Sequence, residues 1–357
     1  MFWKKYSLWI LVIIAVAIKL FSLSPQAVEI YYSQGIYPFI VIILRTLFGW
    51  IPFSVGDVLY GLAVLYLIRG FISLVRRLIQ RNTNRRYWLS TGKKTLVIVL
   101  WVYILFNGLW GLNYNRQGIA KQLDIQVTKY TVEELQAVLD LTIQKLHQVE
   151  QPAAARRDSF HKKQFLFRQA VIAYKSALNR YSFLKYSQPS VKPSLYSYLG
   201  NYLGYTGYYN PFSGEAQVNT TVPLVLLPFT TTHEIGHQLG FAKEHEANFA
   251  GFLAARTSPD AAVQYSVYLD LYMYAARNLG LRDTSQVRIN YNRLPQLAKN
   301  DLKELREFYK KYENPIEPII RSLYGQYLKA NEQPQGILSY DEVIAWIVAY
   351  YRKYGEI

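Results

Sequence analysis

Residues 230–255 read TTTHEIGHQLGFAKEHEANFAGFLAA and hold three of the chain's five histidines. Within them, His233, Glu234 and His237 form an H-E-x-x-H group. On a helix, residues four apart share a face, so the imidazoles of His233 and His237 converge on one point. Glu234 sits one residue round and reaches a water on the same side. This is the arrangement by which zinc hydrolases hold their metal and activate water. A catalytic zinc takes three protein ligands and leaves its fourth position open, so a third donor is required. Glu246 is the expected one; His245, or a residue elsewhere in the chain, is the alternative. A metzincin would need a histidine six residues after His237, and that position is Lys243. Glu234 also has a plainer reading, as the partner of Thr231 in a capping box. His147 and His161 are expected on solvent-facing helices.

Two elements must position these donors. The motif helix should stop at Gly240, a natural residue just past a helix end. A second helix then starts around Lys243, with Glu246 near its first turn. Ala247, Ala250, Gly251 and Ala254 make a small-residue stripe that lets the two helices pack closely. Gly236 inside the motif helix costs about 1 kcal/mol against Ala, and a backbone pressing on it would account for it. Glu215–Thr221 reads as a short strand, expected to hold an extended substrate by edge pairing.

The chain has 357 residues, 51% hydrophobic and 18% charged, with a formal net charge of +16. The charge is divided unevenly: Met1–Leu112 holds 12 Lys and Arg against 2 Asp and Glu, the remainder 28 against 22. High hydrophobicity excludes disorder for most of the chain. The absence of cysteine excludes disulfides and thiolate metal sites. Because the excess charge lies in the apolar first third, it speaks for membrane topology and against nucleic-acid binding.

Three apolar runs, about Tyr6–Ser24, Pro52–Val75 and Thr95–Asn115, have the length of membrane spans. Arg76, Arg77, Arg81, Arg85, Arg86, Lys93 and Lys94 crowd the loop between the second and third. Short basic loops stay in the cytoplasm, so this loop and the amino terminus are expected inside and the remainder outside. Ile36–Trp50, short and broken by Arg45, reads as an interfacial or re-entrant segment. No clean cleavage site follows the first run, which argues against a signal peptide.

Residues 113–357 suit one sizeable, mainly helical domain. Thr131 and Glu134 form a capping box ahead of Leu135, Val138, Leu139, Ile143 and Leu146 at helical spacing. Phe160–Tyr181, Asp301–Tyr312 and Tyr340–Tyr354 are further helices. Ser194–Gly214, rich in Tyr, Gly and Asn, favours loops and short strands.

The pattern HExGHxLG followed by ExEANxxG resembles the gluzincin metallopeptidases. The resemblance implies His233, His237 and Glu246 as zinc ligands, Glu234 as general base and Asn248 as a polar residue orienting a ligand histidine. Membrane spans first, then YYNPFSGEAQVN and PFTTTHEIGHQLGFAKEHEAN, resemble over nearly the full length a bacterial membrane family known as domain of unknown function 3810. The expected fold is mainly α with a minor β element: a membrane anchor (1–112) of about three transmembrane helices, then a zincin-like domain (113–357).

The expected function is a multi-pass protein of the cell (inner) membrane, a zinc-dependent peptidase hydrolysing peptide bonds outside the cytoplasm. Glu234 acts on a zinc-bound water. The partners are a peptide or protein substrate and the lipid bilayer, with no nucleic acid. A membrane scaffold with a structural or inactive zinc site is the alternative. Proteolysis within the membrane is not expected, because the motif lies over a hundred residues past the last span.

Overall fold

The computed structural model describes residues 2–336 and 342–357, with side chains from residue 8 onward. The apolar third opens with α1 (Phe2–Ser22). Next come α2 (Pro25–Ala27), π-helical turns over Val28–Ile36 and α3 (Tyr37–Phe48). Two long helices follow, α4 (Val55–Ile79) and α5 (Arg85–Leu109). Their starts are capped by side chains, Ser54 accepting from Asp57 N at 3.0 Å and Asn84 from Tyr87 N at 2.8 Å.

Pro25–Phe48, Val55–Ile79 and Arg85–Leu109 are long and apolar enough to cross a membrane, and Leu8–Ser22 is a shorter apolar helix. The sequence reading thus differs in two elements: Leu8–Ser22, within the first expected span, is the shorter apolar helix, and Ile36–Trp50 falls largely in the second half of the longer helical run Pro25–Phe48. That run is not free-standing. Val28, Tyr32, Tyr37 and Val41 pack with Trp110, Leu112, Tyr114, Tyr209 and Ala242. Near its start Glu29 pairs with Arg116, and just past its end Gly49 O accepts from Lys192 Nζ at 2.6 Å. By contrast α4 is exposed almost throughout from Leu62 onward.

After the short α6 (Gly118–Leu123) come α7 (Val132–Arg156) and α8 (Lys163–Ala177). The capping box forms as expected, with Thr131 N donating to Glu134 at 2.8 Å and Glu134 N to the Thr131 hydroxyl. All five apolar residues behind it are buried. A three-stranded sheet of β1 (Val191–Pro193), β2 (Gly207–Asn210) and β3 (Glu215–Val218) has the order β1-β3-β2. β1 runs parallel to β3, with Val191 opposite Ala216, and β2 antiparallel, with Gly207 opposite Val218. Within 194–214, Ser197–Leu203 forms a helix, α9, which the Tyr- and Gly-rich composition had not indicated.

The motif segment forms α10 (Leu227–Gln238) and α11 (Glu244–Arg256). Behind them lie α12 (Ala261–Gly280), α13 (Thr284–Asn292), α14 (Gln296–Tyr312), α15 (Glu317–Ala330) and α16 (Val343–Tyr354). The expected start of the last helix, Tyr340, lies outside the described residues. One core joins α7, α8, α10, α11, α12 and α16.

The two parts of the chain are bound by buried polar contacts. Glu215 accepts from Gly56 N at 2.7 Å and Val55 N at 3.3 Å, placing a carboxylate at the start of α4. Asp57 accepts from Leu195 N at 2.6 Å and from the Tyr208 hydroxyl. Arg116 grips Glu29 through two bonds of 2.7 and 3.0 Å, with both side chains buried. Removing one member strands the other, so Glu29→Ala should lower stability by about 3–5 kcal/mol. Unfolding of the purified protein in detergent checks this; a loss under 1 kcal/mol would mean the pair does not hold the parts together.

Candidate metal centre

The motif helix begins earlier than the capping-box reading of Glu234 requires. α10 starts at Leu227, so Thr231 lies inside it and donates its hydroxyl to Leu227 O at 2.7 Å. Glu234 is therefore free of the cap, and its side chain faces the histidines. Donor atoms of His233, Glu234 and His237 all lie within 4.8 Å of one another, and all three residues are buried. His237 Nδ1 lies 2.9 Å from Phe241 O. Donation to that carbonyl puts the proton on Nδ1 and leaves Nε2 with a lone pair for a cation.

Helix α10 ends as the sequence indicates, with Gly240 in the left-handed region at φ +83°. Lys243 then precedes the first residue of α11. Gly236 and Gly251 are the points of closest approach. A Cβ on Gly236 would lie 3.0 Å from Ala247 O, and one on Gly251 3.0 Å from His233 N. The small-residue stripe thus brings the helices into contact.

The third donor needs correction. Glu244, not Glu246, reaches the imidazoles: its Oε2 lies 3.4 Å from His233 Nε2 and 3.5 Å from His237 Nε2. Glu246 turns toward α6, where its carboxylate fills the space beside Gly118. The reason is helical geometry: positions two apart point about 200° from each other. Glu244 lies three and seven residues before Ala247 and Gly251, hence on the face turned to α10. Counting back along the small-residue stripe would have found it. His245 points elsewhere, 3.0 Å from Glu342 and against the Trp346 ring. Asn248 Nδ2 is buried without a partner rather than bonded to an imidazole.

The donor set fits a small divalent cation. At about 2.0–2.2 Å from a tetrahedral zinc, two ligand atoms lie about 3.3–3.6 Å apart, and the observed separations of 3.4 and 3.5 Å fall on that edge. Glu234 Oε2, Glu244 Oε2 and Glu246 Oε2 are all buried without geometrically good hydrogen bonds, but of the two α11 carboxylates it is Glu244 that faces the imidazoles. Burial pushes the Glu234 carboxyl up to about 7, with the two imidazoles pulling the other way. Burial acts on Glu244 too, but His237 and His233 beside it hold its pKa well below the usual carboxylate range.

Residues 32–348 match the family described as "Protein of unknown function (DUF3810)". The chain belongs to that family. No curated protein and no solved structure matches it. The site is therefore assigned on its own geometry.

The donors line a cavity of about 650 Å³. Tyr324 and Tyr327 of α15 form part of its wall, and the Tyr324 hydroxyl donates to Glu244 Oε1 at 2.6 Å. Gly207 of β2 lies against Glu234, where a Cβ would come within 2.6 Å of Oε1. β3 cannot pair with a substrate as expected, being the central, fully buried strand. Of the two edge strands, β2 is the one beside Glu234, through Gly207. Asn219 N donates to Thr206 O, so alternate residues Gly207 and Tyr209 direct their backbone groups away from β3.

The apolar first third also reaches the site, which the sequence distance had hidden. Tyr60, Tyr103, Phe106 and Trp110 line the same cavity. The reassigned ligand is tested by metal content. Glu244→Ala should bind less than a tenth of the wild-type metal, since deleting a direct ligand costs more than a supporting contact. Glu246→Gln should stay near stoichiometric; the reverse pattern would restore Glu246.

Proposed function

We propose that the protein is a membrane-anchored zinc peptidase of the gluzincin type, with His233, His237 and Glu244 as ligands and Glu234 as general base. One observation carries this reading: a buried carboxylate from α11 meets two imidazoles from α10 at zinc-tetrahedron spacing, with a second carboxylate alongside. Zinc bound there would lower the pKa of a water toward 7 and polarise a carbonyl oxygen. Glu234 takes one proton from the attacking water as its oxygen bonds to the peptide carbonyl carbon. When the C–N bond breaks, Glu234 delivers that proton to the departing nitrogen. The β2 edge holds the peptide extended through Gly207 and Tyr209. With Tyr324 engaged by Glu244, the Tyr327 hydroxyl, 3.3 Å from that of Tyr114, is the donor for the developing oxyanion.

A structural zinc site would be closed by four protein ligands. The opening of these donors onto a cavity supports the hydrolytic reading over the scaffold.

The fold also supports an extracytoplasmic domain. The start of α4 and the end of α5 both sit on the domain, through Glu215 and through Trp110 beside His237. Twenty-five helical residues span about 37 Å, so the Arg-rich turn lies a membrane thickness away. By the charge rule that turn faces the cytoplasm.

Glu234→Gln should lower hydrolysis of a mixed peptide pool by about 10²–10⁴-fold while zinc content stays at wild type. Retained turnover would remove Glu234 from the base role. Tyr327→Phe should cost about 10²–10³ in kcat with little change in KM; an effect confined to KM would make Tyr327 a binding group only. Because the chain lacks cysteine, single cysteines report topology cleanly. In intact cells an impermeant maleimide should label Lys303→Cys and spare Asn82→Cys, and the opposite result would invert the orientation.

A further inference from the structure

The cavity over the metal donors has one wall that belongs to the membrane part of the chain. Ile98, Val102 and Phe106 recur every four residues along one ridge of α5, and Trp110, just past the helix end, continues the cavity wall. From Trp110 to Ile98 this wall runs about 18 Å, more than half of a hydrocarbon core about 30 Å thick. The cavity is thus polar at the histidines and purely apolar at its far end. Tyr60 is the residue that α4 contributes. α5 packs along α1, whereas α4 makes few contacts with either, meeting α5 through Arg77 and the Tyr87 ring near the turn, and is exposed almost throughout from Leu62 onward. The space between α4 and α5 therefore opens sideways into the layer those helices occupy.

The rim carries the same signature. Ile316 just ahead of α15, with Ile319 and Leu323 on it, continues the face that bears Tyr327 out of the cavity, and the three are 57%, 60% and 56% exposed. Leu195, Tyr198 and Leu199, around the neighbouring α9, are exposed as well. An amphipathic helix with an uncovered apolar stripe lies in a membrane interface, which seats the mouth of the site at the bilayer surface.

We propose that the substrate is a peptide bearing a covalently attached fatty acyl chain close to the bond that is cut, admitted from the bilayer between α4 and α5. The acyl chain lies along Ile98, Val102 and Phe106 while the peptide pairs with β2. This rests on the peptidase reading and names its substrate class. Size favours it: 18 Å of a helix 10 Å across fills about 1,400 Å³, against a cavity of about 650 Å³. Polarity favours it too. An extended apolar peptide in the slot would carry unpaired N–H and C=O groups into hydrocarbon, at several kcal/mol each, whereas an acyl chain has none.

The test uses the full chain with zinc in phosphatidylcholine–phosphatidylglycerol vesicles and one degenerate peptide pool in three forms: bare, N-palmitoylated, and fused to a 20-residue leucine-rich helix. Palmitoylated peptides should be cut fastest. Val102→Trp, which fills the apolar end, should reduce the palmitoylated-to-bare ratio about tenfold or more. Ile13→Trp, on α1 outside the cavity, should keep that ratio and so controls for simple enrichment at the membrane. Equal cutting of bare and palmitoylated pools, equal preference for the helix fusion, or an unchanged ratio in Val102→Trp overturns the proposal. A second measurement separates it from the peptidase reading: benzoylphenylalanine at position 102 in the Glu234→Gln chain should photocapture the palmitoylated pool over the other two. Should no pool be cut at all, the peptidase reading falls. Selective capture would then still uphold acyl entry, and unselective or absent capture would end it.

Discussion

The carbonyl oxygens around the end of the motif helix are capped largely from outside it, by residues of the apolar first third and by Arg116 just after that third. Trp110 Nε1 donates to His237 O at 3.1 Å, the Tyr37 hydroxyl to Gln238 O at 2.9 Å and Arg116 to Gly240 O at 3.1 Å. Arg45 also donates to Gln238 O. Every helix end leaves such acceptors, and each one buried without a partner costs about 1–3 kcal/mol. Two of the donors are cations, which also complement the negative end of the helix dipole. The position of His237 thus depends on residues more than a hundred places away.

These caps require buried charge, and charge is expensive to bury. Arg116 reaches the carbonyls because Glu29 neutralises it. Glu29 in turn accepts from Gln34, Gln117 N, Gly118 N and Gln122. Such a network offsets desolvation only when nearly every donor and acceptor is used, and this one is close to full. It fixes the register of the segment after α1 against the α10–α11 turn. Glu215 and Asp57 do the same for α4 against the sheet. Anchor and domain therefore form one folded unit.

Much of this was readable from local pattern. The capping box at Thr131, the stop at Gly240, the close approach at Gly236 and the small-residue stripe each follow from chemistry within about ten residues, and each stands in the structure. The third donor is less legible: Glu246 stands in the gluzincin-like pattern, whereas helical phase along the small-residue stripe turns Glu244 toward the imidazoles. What lay out of reach was long-range. No pattern near Trp110 or Arg45 announces a bond to the motif helix, and β3 reads as a plain strand until β1 and β2 enclose it. The basic loop marked the two long apolar helices on either side of it, but charge along a chain says nothing of which of them faces the histidines.

The charge balance of the site explains how it can adjoin so apolar a wall. Two neutral imidazoles and two carboxylates carry two negative charges, which a divalent cation cancels. Without such an ion, burial drives the Glu234 carboxyl up to about 7; burial also works against charge on Glu244 and His237, yet each of these two favours the charged form of the other. At low dielectric a lone ion is costly and a compensated cluster is not, and interactions within that cluster are stronger than in water. For the proposed hydrolysis an apolar cavity wall would be an advantage: it would keep bulk water from screening Glu234 and the developing oxyanion, while the polar β2 edge would still present the peptide. The sharp change from the hydrocarbon-lined α5 ridge to the charged α10–α11 corner is what such a division of labour requires.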